Sequence, residues 1–549
     1  MRKILSFFFA LSFCSSLWAY DFHSGNLCYN ITSDTYPYTV EVTYESTWYN
    51  YDGLTNATIP STVTYQGQRY NVTTIGDSTF YNCKNLTSIS IPESVTSIGS
   101  YAFYYCLDLT SVTIPESVTS VGEGAFQNCT SLFSATLPAG VTSIENYMFY
   151  GCHNLNAITI PNSVTNIGNN AFSNCESLTS VIIPDNVKTI GKYAFYYCQT
   201  LTSITIPRSV KSIGSNAFQG CNTLTKNNYT GDIASWCDIK FDSSSANPMH
   251  SSHNLFINDQ KIKDVIIPNG VDSIHNYAFY ECYNLNSITI PNSVTNIGND
   301  AFYNCCFVKK DFVNNSSLNA EENSYWGALV GESEENGLII NGTTIVGCRK
   351  NITSVTIPAY ITNIGGYAFY NCSSLTSITI PRSVKSIGSY AFQGCNALTK
   401  NNYTGDIASW CNIKFDSSSA NPMYSSHNLF INDQEIKDVI IPNSVDSIHD
   451  YAFYNGYSLT SVTIPESVTN IGRYAFYNCS SLTSVTIPNS VTSIGKLAFF
   501  NCTSLTSISL PNNLTKIGDR AFINTPWLQN QPEGLLYFCI FWDSSNISI

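Results

Sequence analysis

Cysteine recurs at a fixed interval of 23 residues in the first half of the chain, and this spacing constrains the fold more than any other feature. The positions are Cys83, Cys106, Cys129, Cys152, Cys175, Cys198 and Cys221. The whole surrounding segment repeats as well. The unit LTSVTIPESVTSVGEGAFQNCTS begins at Leu109, and its counterpart begins at Leu132. Self-similarity of this length is typical of a solenoid, in which each repeat forms one coil and packs only on its neighbours.

Proline marks the same point in fourteen units, always after isoleucine or leucine. Because proline lacks an N–H group and has a fixed φ, each proline predicts the end of a strand. The fourteen prolines are Pro92, Pro115, Pro138, Pro161, Pro184, Pro207, Pro268, Pro291, Pro358, Pro381, Pro442, Pro465, Pro488 and Pro511.

The residues before each proline predict a short strand. In the unit that begins at Leu109, the apolar residues Leu109, Val112 and Ile114 suit inward positions that stack on neighbouring coils. The intervening Ser111 and Thr113 then point outward. We therefore expect a parallel sheet with one apolar face and one hydroxyl-rich face.

The residues after each proline complete the coil. Val118 and Val121 predict a second short strand on the opposite side, and Gly122 predicts a turn with positive φ. Phe126 returns the chain across the interior, and Cys129 closes the coil as a small buried apolar residue. One coil cannot bury this set of residues alone, whereas stacked coils can.

The repeated unit resembles the leucine-rich repeats of the BspA-like family of bacterial surface proteins, whose unit runs LxxIxIPxSVTxIGxxAFxxCxx. The match covers roughly residues 80 to 527, and residues 29–33, 59–65 and 72–76 resemble the N-terminal cap of that family. The resemblance implies a cell-surface or secreted protein that engages host or neighbouring-cell macromolecules. Two departures from the common leucine-rich pattern, proline after the third apolar residue and serine in place of asparagine, affect the predicted fold little.

Together these patterns predict a β-rich leucine-rich-repeat solenoid, right-handed, with 23-residue coils, parallel strands, an N-terminal β cap and inserted islands. The predicted segments are a signal peptide (1–19), the β cap (20–79), repeats (80–307) with an island (224–261), an insertion with a β-hairpin (308–351), repeats (352–527) with an island (398–435), and a C-terminal tail (528–549).

The N-terminus predicts export. Arg2 and Lys3 precede an apolar run from residue 4 to 17, and Ala19 follows as a small residue at the expected cleavage site. Lipid attachment through Cys14 is a weaker alternative, because Phe13 before it is bulky. No later run of eighteen apolar residues predicts a membrane span. We expect an exported protein at the cell surface or outside the cell. The sequence does not decide how it is anchored or whether the apolar C-terminus is truncated.

A duplicated block tests candidate ligands from within the chain. Residues 201–284 match residues 375–458 with ten differences. His250 and His253 suggest a metal-binding pair, but Tyr424 replaces the first histidine in the second copy, which argues against a metal. Cys282 likewise becomes Gly456. Trp236 persists in the second copy, and a hydrophobic anchor is the favoured interpretation over a ligand-binding aromatic.

The insertion at 308–351 combines a predicted hairpin with a group of acidic residues. Residues 338–346 predict a hairpin, with Asn341 and Gly342 supplying its tight turn. Five acidic residues of this insertion predict a solvated loop, although a cation site is an alternative. They are Glu321, Glu322, Glu332, Glu334 and Glu335.

Charge and motifs exclude several functions. Charged residues make up 11% of the chain and the net charge is −13, so clustered basic side chains for nucleic acid or anionic membranes are missing. The sequence contains no nucleophile elbow, P-loop, dinucleotide fingerprint or zincin motif. We expect no catalytic residues, no cofactor and no metal. The pairing of Cys28, Cys237, Cys306, Cys348, Cys411 and Cys539 is left open.

The outward side chains of the first strand form the main candidate binding surface. They are either β-compatible surface residues or an extended recognition surface for protein or glycan. The candidates are Ser88, Ser90, Ser111, Thr113, Thr159, Ser203, Thr205, Ser287, Thr289, Ser377, Thr379, Ser461, Thr463, Ser484 and Thr486, with Ala157 in the same row.

A tyrosine row that follows the repeated phenylalanine is a secondary candidate. Exposed tyrosines favour binding, whereas half-buried packing between coils is the competing and preferred interpretation. The row comprises Tyr104, Tyr105, Tyr150, Tyr196, Tyr197, Tyr280, Tyr303, Tyr370, Tyr454 and Tyr477.

These observations predict a non-catalytic, monomeric binding or adhesion protein that contacts a protein or glycan ligand through its extended Ser/Thr/Tyr-rich surface. The alternative is a carbohydrate-binding or cell-envelope scaffold protein that acts through the two islands. An enzyme is the third and least favoured hypothesis.

Overall fold

The computed structural model describes residues 20–45, 51 and 53–531. The predicted signal segment, Cys14, Cys539 and the apolar C-terminus lie outside these residues. The chain divides into two compact units. The first comprises the described residues up to Ile262 with Pro268–Cys282 and Ser293–Ala301. The second comprises Lys263–Ile267, Tyr283–Asn292 and the described residues from Phe302 onward.

The first unit is built from coils that each contribute two short parallel strands. The first strands are Asn56–Thr58, Ser88–Ser90, Ser111–Thr113, Ser134–Thr136, Ala157–Thr159, Ser180–Ile182, Ser203–Ile206, Lys226–Tyr229 and Phe256–Ile257. The second strands are Ser97–Ile98, Ser120–Val121, Ser143–Ile144, Asn166–Ile167, Thr189–Ile190, Ser212–Ile213, Lys240–Phe241, Ser273–Ile274 and Asn296–Ile297. The two sets of strands form separate sheets.

The second unit repeats this plan. Its first strands are Asp264–Ile266, Ser287–Ile290, Phe312–Asn314, Ser354–Thr356, Ser377–Ile380, Lys400–Tyr403, Phe430–Ile431, Asp438–Ile440, Ser461–Thr463, Ser484–Thr486 and Ser507–Ser509. Its second strands are Asn363–Ile364, Ser386–Ile387, Lys414–Phe415, Ser447–Ile448, Asn470–Ile471, Ser493–Ile494 and Lys516–Ile517. A short helix, Pro526–Gln529, follows the last coil.

Equivalent residues of successive coils lie side by side. Ser134 pairs with both Ser111 and Ala157, and Ile167 pairs with both Ile144 and Ile190. The 23-residue spacing therefore becomes straight columns of identical positions. This register confirms the predicted parallel solenoid.

The interior consists of stacked side chains from these columns. The rings of Phe80, Phe103 and Phe126 are fully buried and stack with centroids 5.3 Å apart at each step. In the second unit, the Phe453 and Phe476 rings stack at 5.2 Å. Such offset aromatic pairs add to the stabilisation from buried apolar area.

The proline column ends the first strand, as predicted. Strand Ser111–Thr113 ends two residues before Pro115, and the Val118 N–H donates a hydrogen bond to the Pro115 carbonyl oxygen at 3.0 Å. Proline thus supplies an acceptor where it lacks a donor. The chain turns at this point and enters strand Ser120–Val121.

The predicted role of Gly122 is wrong. Its φ is not positive; the left-handed residues of this coil are Gly124, with φ 58°, and Asn128, with φ 59°. Gly122 is required by close approach instead, because a Cβ atom there would lie 2.5 Å from the backbone nitrogen of Ser100 on the preceding coil. The glycine column therefore marks the points where neighbouring coils are closest.

Both islands turn out to be enlarged coils. In the first, Lys226–Tyr229 pairs in register with Ser203–Ile206, and Lys240–Phe241 pairs with Ser212–Ile213. The added residues form helices Ile233–Cys237 and Met249–Ser252, the 3-10 turn Ser244–Ala246, and the hairpin Phe256–Ile257 with Gln260–Lys261. The second island repeats them as Ile407–Cys411, Ser418–Ala420, Met423–Ser426, and Phe430–Ile431 with Gln434–Glu435.

Trp236 anchors the first island, as the sequence analysis favoured. Its side chain is fully buried, and its Nε1–H group donates a hydrogen bond to the Ala278 carbonyl oxygen at 2.8 Å. Trp410 makes the equivalent bond to Ala452 at 2.9 Å. A buried indole with a satisfied donor is a packing element, and it leaves no aromatic face for a ligand.

The predicted hairpin of the 308–351 insertion is present. Strand Leu338–Asn341 pairs antiparallel with Thr344–Cys348, and Asn341 faces Thr344, so the two turn residues are Gly342 and Thr343 and not Asn341 and Gly342. The other elements are strands Cys306–Val308, Leu329–Gly331 and Ser333–Glu335 and the 3-10 turns Lys309–Asp311 and Ser324–Gly327. Thr344 and Ile345 continue the sheet to Asn363–Ile364.

The N-terminal cap is a β-sheet that closes the first unit. Strands Phe22–Ser24, Leu27–Ser33 and Thr39–Thr43 pair antiparallel in sequence order. Thr39–Thr43 then pairs parallel with Gln68–Ile75, which also pairs with Thr62–Tyr65 and with Ser97–Ile98. The cap thereby continues the second sheet.

Helices are short throughout the described part of the chain. The two longest, Ile233–Cys237 and Ile407–Cys411, have five residues each. No helix among the described residues has the length and apolar character that crossing a membrane requires.

Candidate functional site

The candidate hydroxyl residues lie where the strand pattern placed them, on the outward side of the first strands. In Ser111–Thr113, Val112 is buried and both flanking hydroxyl residues are exposed. Ser484–Thr486 shows the same pattern. The hydroxyl residues of Ser203–Ile206, Ser287–Ile290 and Ser377–Ile380 are half-buried. In each unit, we call these outward positions the hydroxyl face.

Most hydroxyls of this face are available to a ligand. Ser88 donates to Asn56 Oδ1 at 2.6 Å, Ser287 to Asp264 Oδ1 at 2.7 Å, and Ser461 to Asp438 Oδ1 at 2.6 Å. Among the residues that the structure describes, the other predicted hydroxyls of this face make no side-chain hydrogen bond. Each hydroxyl offers one donor and two acceptor positions. The face can therefore supply many hydrogen bonds without breaking internal ones.

Exposed apolar side chains lie on the hydroxyl face or directly beside it, and the repeat pattern did not single them out. In the first unit, Ile182 is 74% exposed and Phe133 is 60% exposed. In the second unit, Ile266 and Ile440 are 71% and 70% exposed. The signal was present in the sequence, because isoleucine replaces the usual threonine before the IP pair at all three isoleucine positions. Covering one of these side chains would remove its apolar surface from water.

The tyrosine row is half-buried, which agrees with the packing interpretation. Tyr104 stacks on Tyr81 with ring centroids 4.7 Å apart, and Tyr454 stacks on Tyr477 at 4.9 Å. Tyr105 and Tyr197 are the more exposed members, at 38% and 41%. The other predicted tyrosines, Tyr150, Tyr196, Tyr280, Tyr303 and Tyr370, are half-buried.

A second column of tyrosines, which includes Tyr101 and Tyr147, was not singled out from the sequence. Together with the column that includes Tyr81 and Tyr104, it lines a cleft. The cleft has a volume of about 500 Å³ and is lined by Ser78, Tyr81, Tyr101, Tyr104, Gln127 and Tyr147. The Tyr101 hydroxyl donates to Glu123 Oε1 at 2.8 Å. This hydrogen bond and partial burial raise the pKa of Tyr101, so its phenol stays neutral at physiological pH. The cleft thus presents aromatic faces and hydroxyl groups.

The repeated cysteines do not have the properties of catalytic nucleophiles. All eighteen described cysteines are buried. Burial raises the pKa of the Cys152, Cys221 and Cys502 thiols to about 12. A nucleophilic cysteine needs an accessible thiolate. The thiols of Cys152, Cys221 and Cys502 are therefore protonated and inert.

His250 and His253 converge on one buried carboxylate. Their Nδ1 atoms lie 3.8 Å and 3.7 Å from Glu281 Oε2, and Glu281 is 2% exposed. The second copy has Tyr424 and Asn455 in place of His250 and Glu281. Across the described residues, no group of three or more His, Cys, Asp or Glu side chains is arranged to hold a metal ion. The exchange of both partners together indicates a local packing pair.

The match to a known protein family lies in the repeated segments of the chain. The model of the BspA type leucine rich repeat region, in six copies, matches residues 68–176, 130–247, 250–327, 340–425 and 423–532. No curated protein matches the chain.

Three solved structures are similar. A leucine-rich repeat protein from Bacteroides ovatus ATCC 8483 is 25% identical, with 92% of each chain covered and a TM-score of 0.33. A leucine rich cell surface protein from Faecalibacterium prausnitzii A2-165 is 30% identical, with 72% of this chain and 98% of that chain covered and a TM-score of 0.37. The leucine rich repeat protein of T. pallidum is 28% identical, with 38% and 80% covered and a TM-score of 0.26. Since the repeat model matches most of the sequence, this chain belongs to the BspA-type leucine-rich repeat family.

Proposed function

We propose that this protein is an exported, non-catalytic binding protein that acts outside the cell or at its surface, with the hydroxyl face as its contact surface. The observation that carries the proposal is the row of outward hydroxyls on successive coils, most of which make no internal hydrogen bond. The basic and apolar N-terminal segment supports export. The low content of charged residues favours an uncharged ligand surface over nucleic acid.

The partner is a protein or a glycan, bound by many weak contacts around a few apolar anchors. Each outward hydroxyl contributes a small net free energy, because its bond to the partner replaces a bond to water. Ile182 differs, since covering an exposed side chain of its size removes considerable apolar surface from water. Affinity is therefore spread over the hydroxyls and raised locally at Ile182 and Phe133.

Residues 20–531, applied as a labelled protein to a glycan array and to a panel of immobilised extracellular-matrix proteins, would identify the class of partner. We expect single changes such as Ser111→Ala or Thr205→Ala to weaken binding less than about threefold. Ile182→Thr, which restores the repeat consensus, weakens binding about tenfold. Abolition of binding by one serine or threonine change would contradict a distributed contact.

A second variant tests the face as a whole. Replacement of Ser111, Thr113, Ser134 and Thr136 by lysine adds four positive charges to the face without touching a buried residue. We expect loss of binding with an unchanged circular dichroism spectrum. Retained binding would show that the contact surface lies elsewhere.

Glycan binding through the tyrosine cleft is the second candidate. The cleft combines aromatic rings with hydroxyl groups, which suits a ligand with both apolar and hydroxyl surfaces. The islands, which the sequence analysis considered for this role, supply strands to both sheets. Deleting an island would therefore remove a coil. Tyr81→Ala tests the cleft instead, with Tyr197→Ala as the matched exposed control.

A further inference from the structure

The Sγ atoms of Cys348 and Cys372 lie 2.8 Å apart in the second unit. This separation is shorter than the contact distance of two non-bonded sulfur atoms and longer than the about 2.05 Å of a disulfide bond, so the two free thiols are in direct contact. Both side chains are fully buried. We propose that Cys348 and Cys372 form a disulfide that ties the 308–351 insertion to the first coil after it.

The position of the pair explains why it differs from the other cysteines. In the regular coils, the ladder thiol donates to a phenylalanine carbonyl oxygen 26 residues earlier, as Cys395 does to Phe369 at 3.0 Å. Cys372 belongs to the first regular coil after the insertion. Its neighbour is the end of hairpin strand Thr344–Cys348, which brings a second sulfur to the place where other coils present a carbonyl group.

In the folded chain, a buried ammonium group lies close to the two sulfurs. Lys350 is 9% exposed, and its Nζ donates to the Tyr370 carbonyl oxygen at 2.5 Å and lies 5.3 Å from the centre of the Tyr283 ring. Burial acts to raise the pKa of the Cys372 thiol, but the hydrogen bond from Cys348 and the positive charge of Lys350 outweigh it and lower that pKa. In the folded chain, Cys372 is therefore the more acidic thiol of the pair.

The chemistry is thiol–disulfide exchange with a protein or small-molecule disulfide as oxidant. The Cys372 thiolate attacks one sulfur of that oxidant, the oxidant's S–S bond breaks, and its other sulfur leaves as a thiolate. Cys348 gives its proton to the departing thiolate and attacks the Cys372 sulfur of the mixed disulfide. The products are one Cys348–Cys372 bond and two reduced thiols of the oxidant. Because both cysteines are buried in the folded chain, exchange takes place before the coil closes over the insertion.

Peptide mass spectrometry tests the proposal on the full chain. The protein is refolded with oxidised and reduced glutathione, denatured, alkylated without reduction and digested with trypsin. Cleavage after Arg349 and Lys350 places Cys348 and Cys372 in different peptides. We expect one cross-linked pair that contains these two residues and is released by reduction. Alkylation of both cysteines, or a bond from Cys348 to Cys306, would overturn the assignment.

Two variants sharpen the test. Cys372→Ser removes the cross-link, whereas Cys395→Ser, the matched ladder position one coil further on, retains it. Loss of the cross-link in both variants would show that it depends on general folding and not on this pair. Since the wild-type digest already identifies the bond, the proposal stays falsifiable even where a variant folds poorly.

Discussion

The thiol of Cys129 donates a hydrogen bond to the backbone carbonyl oxygen of Phe103, 3.0 Å away on the preceding coil. The same bond recurs across 26 residues at Cys106, Cys152, Cys175, Cys198, Cys221, Cys395, Cys479 and Cys502. Cysteine suits this position because it is small and apolar and still carries a weak donor. These nine thiols therefore fasten their coils to the neighbouring coils without disulfides.

Cys129→Ala removes this donor and the volume of the sulfur atom. We expect the change to lower the free energy of unfolding by about 1–2 kcal/mol, because a buried carbonyl group loses a partner and a small cavity remains. Urea unfolding followed by circular dichroism measures the shift. Ser111→Ala, at an exposed position, serves as the control and should change the unfolding free energy by less than about 0.5 kcal/mol. Equal effects of the two changes would contradict a structural role for the thiol.

Alkaline pH should destabilise the solenoid. The folded protein holds the pKa of Cys152, Cys221 and Cys502 at about 12, whereas unfolded cysteine ionises at about 8.5. A raised folded-state pKa contributes stability that is complete below pH 8.5 and is lost as the pH rises towards 12. Urea midpoints at pH 7, 9 and 10 should therefore fall progressively.

Tyrosines titrate in the same pH range, so a variant must isolate the thiols. A chain with alanine at Cys129, Cys152 and Cys175 should lose less stability between pH 7 and pH 10 than the wild type. Parallel losses in the two proteins would assign the alkaline effect to groups other than the cysteine column.

Gly122→Ala should be strongly destabilising despite the small size of alanine. The added Cβ would lie 2.5 Å from the Ser100 backbone nitrogen, and backbone cannot move aside without parting the coils. We expect a loss of at least about 3 kcal/mol in unfolding free energy. Gly366→Ala is the matched control, since its nearest contact is 3.2 Å and its φ is not positive. A mild effect at Gly122 would contradict the close-approach explanation.

Asn401→Leu should stabilise the protein. Asn401 is fully buried at an inward strand position opposite Ile378, and neither its Nδ2 nor its Oδ1 atom has a hydrogen-bond partner. Replacing an unsatisfied buried amide by an apolar group of similar size should raise the unfolding free energy by about 1–3 kcal/mol. Thermal melting measures the gain.

The neighbouring Asn402 provides a control, because its replacement should lower the unfolding free energy instead of raising it. Its Oδ1 accepts a hydrogen bond from the Asp433 N–H at 2.8 Å, so Asn402→Leu should destabilise the protein by leaving that donor unpaired. Destabilisation by both changes would indicate that Asn401 is also satisfied in solution.

The repeat spacing allowed the columns to be predicted from the sequence. Pro115, Phe126 and Cys129 each have a role that follows from their own chemistry, and the structure shows those roles. Gly122 was misjudged because a sequence shows that glycine is required but not whether a torsion angle or a neighbouring backbone requires it. That distinction depends on the separation of two coils.

The candidate site was predicted less completely. The alternation within the strand correctly placed Thr113 outward. It did not reveal the exposed Ile182, because the repeat consensus describes the threonine that most coils share at this position and not the isoleucine that replaces it. The contact of Cys348 with Cys372 could not be predicted, since Cys348 lies outside the 23-residue frame. Only the fold of the insertion brings it to the ladder.

The constant register has a consequence for how such a chain can change its length. Within a run of regular repeats, each coil presents to the next the same partners that it received from the one before, as Ser134 does between Ser111 and Ala157. When a whole coil is added or removed, the residues at the junction still pair with the same equivalent positions. The number of coils can therefore change without any new kind of contact between neighbouring coils.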